Sequence, residues 1–136
     1  MKIELPGIRE QQRIIFEEST KEAIATLKAN LKAPELPPQE EIDESQYQNT
    51  HLLRLEEGWQ PPHKDVIAAY FKHFQNHFKE YNSDKKLADL IGVSSDRRIR
   101  EYKSGARVIP YGLWRKFLIM TGRAPQDVLP VLAYMG

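Results

Sequence analysis

The segment richest in chemistry is residues 84–105, which read DKKLADLIGVSSDRRIREYKSG. Its apolar positions are Leu87, Ala88, Ile91, Val93, Ile99 and Tyr102, and the spacing predicts a helix, a glycine, a tight polar turn and a second short helix. Ala88 is small where a neighbouring helix has to approach closely, and Val93 plugs the turn. Asp96, Arg97, Arg98, Arg100, Glu101 and Lys103 are left mostly outward on the second helix. A short helix with an arginine-rich outer face suits the major groove of DNA, because a guanidinium bonds guanine bidentately and a carboxylate accepts from cytosine.

Other constellations are weaker. His73 and His77 have the i,i+4 spacing of two zinc ligands on a helix, but Phe74 stands where a metalloprotease has its Glu. The chain has no cysteine, which removes disulfides, thiolate metal sites and cysteine nucleophiles. The two histidines read as surface residues on a basic helix. No nucleophile elbow or glycine-rich phosphate loop occurs, and the acid pairs Glu17-Glu18, Glu40-Glu41 and Glu56-Glu57 read as solvated. No enzyme, metal or cofactor is expected.

The elements around the segment are set by glycine and proline. Pro62 opens a helix whose one face is Ile67, Tyr70, Phe71, Phe74, Phe78 and Tyr81, with Asp65 near its positive end. Asn82-Ser83-Asp84 offers caps for the next helix, 85–91, and Gly92 stops it. The second short helix runs from Asp96 to Ser104 and ends at Gly105. Pro110 opens a helix carrying Leu113, Trp114, Phe117, Leu118 and Met120, and Gly122 closes it. Pro125 opens a last helix with Val128, Leu129, Leu132 and Ala133, which Pro130 shortens or kinks. The expected fold class is therefore all-α, with five short helices and no strand in residues 61–136. Trp114 closes its core.

Two further regions precede that domain. Residues 1–31 hold an amphipathic helix from about Ile8, with Phe16, Ala23, Leu27 and Leu31 on one stripe, and such a helix needs a partner surface. Residues 32–60 are rich in proline and acid and read as a linker or extended arm. Trp59, beside Pro61-Pro62, reads as folding back onto the domain, with a partner anchor as the alternative.

Residues 84–105 resemble the lambda-repressor/Cro-like (XRE-type) helix-turn-helix superfamily. The resemblance rests on Leu87-Ala88, Ile91-Gly92-Val93-Ser94 and the aromatic-to-glycine ending Tyr102-Lys103-Ser104-Gly105. Arg107 and Pro110 fit the family's connection to its fourth helix, so the likeness covers about residues 64–122. Counting back from Gly105, the turn is one residue longer than the usual pattern, which leaves open whether Ser95 or Asp96 caps the second helix. By position, the resemblance makes Ser95, Asp96, Arg97, Arg100 and Glu101 base-reading candidates. Lys85, Lys86, Arg98, Lys103, Ser104 and Arg107 become phosphate candidates. Asp96 fits a cap that orients Arg100 through an i,i+4 pair. The family often dimerises through its later helices.

Charge agrees with a nucleic-acid partner. The 136 residues carry a net +1, but residues 1–60 carry −5 and residues 61–136 carry +6. No apolar run reaches the ~20 residues of a membrane span, and MKIELPGIREQQ lacks the apolar stretch of a leader. A bacterial, phage or mobile-element regulator is expected, most simply a repressor. It would be cytoplasmic, nucleoid-associated and homodimeric on double-stranded DNA. One alternative is an antitoxin-like protein that neutralises a partner through the acids of residues 1–60 and binds its own promoter through 61–136. Another is a protein-interaction scaffold without a DNA role.

Overall fold

Three of the turns in the helical region are set by a glycine in the left-handed conformation. In the computed structural model, which describes residues 7–135, Gly92, Gly105 and Gly122 all have positive φ. The opening hexapeptide, read above as lacking a leader, lies outside the described residues, as does Gly136. The helices are α1 (Ile8–Asn30), α2 (Lys64–His77), α3 (Asp84–Ile91), α4 (Asp96–Ser104) and α5 (Tyr111–Met120). No strand occurs among the described residues. No helix among them is long and apolar enough to cross a membrane.

The chain divides into two units. One combines α1 with residues 128–135, and the other is Pro37–Asp127. In the first unit no residue of α1 is buried. Its main side-chain contact is Phe16 against Tyr134, ring centroids 5.1 Å apart, with the Arg13 guanidinium 5.5 Å from the same ring.

The second unit is built on α2 to α5. Its core holds Tyr70, Phe71, Phe74, Leu87, Ala88, Ile91, Val93, Ile99, Tyr102, Ile109, Trp114, Phe117 and Leu118. Every apolar position singled out in residues 84–105 is buried. Trp114 is 0% exposed and meets Tyr70 at 5.6 Å, Phe117 at 5.6 Å and Phe71 at 6.0 Å between centroids.

Four expectations need correction. Residues 125–133 form no helix. Pro130 cannot donate to the carbonyl of Gln126, and its ring pushes Leu129 out of the helical region, so too few intact turns remain. The helix expected to reach Tyr81 ends at His77, because Phe78 is extended (φ −127°, ψ 99°). A 3₁₀ turn, Lys79–Tyr81, follows, and both Phe78 and Tyr81 pack on Phe74. Pro62 stands before α2, not in its first turn; His63 is the cap, its Nδ1 accepting the Asp65 N–H at 3.0 Å.

The largest correction concerns residues 37–60, which are no free linker. They fold as three 3₁₀ turns, Glu44–Gln46, Thr50–Leu52 and Leu55–Glu57, within the same unit as the helices. Gln39 is buried; its Nε2 donates to the Ile42 carbonyl and to Glu44, and its Oε1 accepts from the Glu41 and Ile42 N–H groups. Glu44 accepts a short bond from the Tyr70 hydroxyl and pairs with Arg123 at 3.5 Å, while Arg123 lies 3.8 Å above the Tyr70 ring. Burial opposes ionisation of Glu44, but the bonds from Tyr70 and Gln39 and the charge of Arg123 prevail and hold its pKa below the usual 4.5. Burial and the Glu44 bond push the pKa of the Tyr70 phenol well above its usual 10.

His51 is buried, and its Nδ1 accepts the Trp114 indole N–H at 3.2 Å. Its carbonyl accepts the indole N–H of Trp59, so Trp59 does fold back. Trp59 also meets Tyr111 edge-on at 5.2 Å. A ring nitrogen that accepts must be unprotonated, so the imidazole is neutral with its proton on Nε2. Burial lowers the His51 pKa below its ordinary 6.5. The unfolded chain therefore binds the proton more readily, and stability contributed by neutral His51 is lost as pH falls below about 6.5. We expect the urea midpoint to fall on acidification through this window, and His51→Gln to lose much of that dependence. An unchanged pH profile in the variant would refute the assignment. At neutral pH, His51→Ala should cost about 1–3 kcal/mol, since it strands a buried indole donor.

Candidate nucleic-acid interface

A helix whose inner face is Ile99 and Tyr102 must present the opposite face to solvent. At 100° per residue, that outer face is centred on Arg97, Arg100, Glu101 and Ser104, with Arg98 and Lys103 on the flanks. Ile99 and Tyr102 are 0% and 1% exposed, whereas the Arg97 and Arg100 side chains are 81% and 56% exposed. Of the other residues expected on this face, Asp96, Arg98, Glu101 and Lys103 are only partly exposed.

Two α-helices joined by Gly92–Ser95 create the platform. Ser83 caps α3, its hydroxyl accepting the Lys86 N–H at 3.2 Å. Gly92 (φ +84°) ends α3, and the Gly92 and Val93 N–H groups both donate to the Ala88 carbonyl. Reversal at this point needs the left-handed conformation that glycine adopts without strain. Ser95 then occupies the cap position of α4 with extended backbone, but its hydroxyl accepts no capping bond. Asp96 is the first helical residue, and its carboxylate accepts from Arg100 Nη1 at 2.9 Å. That bond and the Arg100 charge hold the Asp96 carboxyl below its usual 3.8. The choice between Ser95 and Asp96 is thus resolved: Ser95 caps by position, and Asp96 orients Arg100.

The remaining candidates divide by their acid partners. Glu101 is engaged on both sides, with Arg97 Nε at 3.5 Å and Arg107 Nε at 3.2 Å. Lys103 lies against Asp84, its Nζ 2.9 and 3.0 Å from the two carboxylate oxygens. It ties α4 to the first residue of α3. Among the described residues Lys86 reaches only the Asn82 amide oxygen, at 3.4 Å. Lys85 and Arg98 have no carboxylate within 4.0 Å among the described residues. The Ser104 hydroxyl donates to the Glu101 carbonyl and accepts the Ala106 N–H, closing the end of α4.

Sequence reasoning missed two cations at this surface. Lys64, the first residue of α2, lays its stem across Gly105: a Cβ there would stand 3.0 Å from Lys64 Cδ. Lys116, on α5, brings its Nζ within 3.9 Å of where a Gly92 Cβ would stand. Each lies far in sequence from α4, so local periodicity gives no hint of either. For Lys64 a signal did exist: a cation in the first turn of a helix opposes the helix dipole.

His73 and His77 face each other with ring centroids 4.6 Å apart, and His77 Nδ1 lies 2.8 Å from the His73 carbonyl oxygen. No group of three His, Asp or Glu side chains able to hold a metal occurs among the described residues. Compared with protein-family models, curated proteins and solved structures, the chain shows no match.

The Lys103–Asp84 pair is half-shielded, with side chains 30% and 19% exposed. Lys103→Ala should therefore lower stability by about 1 kcal/mol, after allowance for solvent screening. Lys85→Ala and Lys86→Ala, at exposed positions, should stay within about 0.5 kcal/mol of the parent. Urea unfolding of the three variants checks this, and equal stabilities would remove Lys103 from its role as a strut.

Proposed function

We propose that the chain is a sequence-specific, DNA-binding regulator of transcription, most simply a repressor, of the lambda-repressor/Cro-like helix-turn-helix kind. In this reading α4 enters the major groove and α3 lies across its mouth. The single observation that carries it is the outer face of α4. Arg97 and Arg100 project from it, each held by an acid one turn along the helix, over a platform whose inner face is fully packed. Carboxylate-held guanidinium groups keep their donor forks oriented, as bidentate contact with guanine requires.

The acids of residues 1–60 bear on the antitoxin-like alternative. Glu44 and Gln39 bind each other, Glu41 pairs with Lys72 at 3.2 Å, and Asp43 accepts from Ser45. Glu17 and Glu18 pair within α1. Glu44 and Asp43 are thereby tied into the fold, which favours the regulator reading for that segment, whereas the α1 pairs are exposed and Glu40 has no such partner among the described residues. A regulator of this kind works as a homodimer on two half-sites about one helical turn apart, in the cytoplasm at the nucleoid. For the dimer contact, α1 offers 23 residues with none buried, more exposed apolar surface than a lone helix carries comfortably in water.

The test is selection of a preferred duplex from a random pool with the full chain, followed by anisotropy titrations. Arg97→Ala/Arg100→Ala should bring affinity for the selected duplex close to that for random DNA, a loss of about 10-fold to 100-fold or more. Random-duplex affinity should change far less. Retained selectivity in the double variant would overturn the assignment of α4 as the reading helix.

A further inference from the structure

The cations of the 37–127 unit fall into two sets. Arg97, Arg100, Lys103 and Arg107 are balanced by Asp96, Glu101 or Asp84. Arg54 and Arg115 share Asp127, and Lys72 and Arg123 pair with Glu41 and Glu44. Lys79, Lys85, Lys86, Arg98, Lys64 and Lys116 have no carboxylate within 4.0 Å among the described residues; of these, Lys64 and Lys116, both exposed, are the two that lie against Gly105 and Gly92. These two lysines come from different helices, α2 and α5, yet stand at opposite ends of the Gly92–Gly105 segment.

Resting on the DNA-binding reading above, we propose that Lys64 and Lys116 are the phosphate clamp of the interface, gripping the two backbones that border the groove α4 enters. Three arguments support it. The first is size: α4 has nine residues, about 14 Å at 1.5 Å per residue, and the major groove is about 12 Å wide. Lys64, against Gly105 where α4 ends, and Lys116, against Gly92 at the head of the turn that leads into α4, flank a helix of that length.

The second is charge. Phosphate binding gains its free energy by releasing condensed counterions, which needs a cation whose charge is not already spent. Lys103 and Arg107, two of the phosphate candidates read from sequence, are spent on Asp84 and Glu101, whereas Lys85, Lys86 and Arg98 keep their charge free for the same task. Lys64 and Lys116 are unspent as well. The third is cost. Lys64 sits at the positive end of α2, where its charge is unfavourable for the helix itself, and its stem is laid toward α4 across Gly105. A side chain could not replace the hydrogen of Gly105 without displacing that stem, and the φ of +84° disfavours one as well.

Phosphate contacts are blind to sequence, so this clamp has a signature different from that of Arg97 and Arg100. In the full chain, Lys64→Gln/Lys116→Gln should reduce the magnitude of the slope of log affinity against log salt by about 2. The reduction should be equal on the selected and the random duplex, with their affinity ratio unchanged. Lys64→Arg/Lys116→Arg should restore the slope. The single Gln variants, each expected to remove about 1, serve if the double variant fails to fold by circular dichroism. An unchanged slope, or a changed affinity ratio, overturns the clamp while leaving the groove-reading helix standing. A wild-type chain that binds no duplex at low salt overturns the DNA-binding reading itself.

Discussion

The hydrogen bond from the Trp114 indole to His51 is the contact on which the larger unit depends. Trp114 sits where α2 and α5 meet, packed by Tyr70, Phe71 and Phe117, so its one polar atom is far from water. A buried N–H without an acceptor is costly, and the neighbouring Phe71 and Phe117 rings carry no acceptor atom. The acceptor comes from a residue 63 positions earlier. Once His51 is fixed, its carbonyl holds Trp59, and the turns between Pro37 and Gly58 become part of the core's wall. The aromatic cluster and the proline-rich segment are thus one structural problem.

From that anchor the helices follow in sequence. Burial of Trp114, Phe117 and Leu118 seats α5; Tyr70, Phe71 and Phe74 seat α2; α3 and α4 close the core with Leu87, Ile91, Ile99 and Tyr102. Arg115 is also buried in this wall, and it is satisfied by Asp127, the Leu52 carbonyl and the Pro125 carbonyl. That arrangement pins the chain after α5 in an extended path. Asp127 holds both Arg54 and Arg115, which keeps its carboxyl below the usual 3.8. Arg54 and Arg115 thereby join the proline-rich segment to α5 a second time, independently of His51.

The legible part of the fold was the part built on periodicity. The positions of α3 and α4, the glycine stops and the outward set on α4 all follow from apolar spacing and left-handed glycines. The residues 37–60 defeated that method because Gln39, Glu44 and His51 are polar. Their places in the fold are held by specific hydrogen bonds to residues 26 to 63 positions away for Glu44 and His51, and by local turn bonds for Gln39. A polar side chain in a proline-rich run looks solvated unless its distant partner is known. The candidate site shows the same division: α4's outward face is a matter of helical phase, whereas Lys64 and Lys116 reach it only through tertiary packing. The lost final helix is a different failure, in which apolar spacing from Val128 to Ala133 outweighed the backbone consequence of Pro130.

The acids on α4 pose a question for any nucleic-acid surface, since Asp96 and Glu101 oppose phosphate. Exposed ion pairs of this kind contribute little stability, so fold energetics alone does not account for them. On the proposed DNA-binding reading, their effect is on the balance between two modes of binding. Attraction to random DNA scales with the uncompensated cations available to phosphates. Pairing Arg97, Arg100 and Arg107 with carboxylates lowers that attraction, yet leaves outward N–H donors on each guanidinium for a base edge. A groove with matching acceptors satisfies those donors, and one without them leaves both the donors and the acids poorly served. On the proposed reading, the surface trades general affinity for discrimination. Specificity is a difference of affinities, and weakening the wrong complex raises it as effectively as strengthening the right one. The sequence-blind part of the attraction is then left to cations that stand outside the reading face.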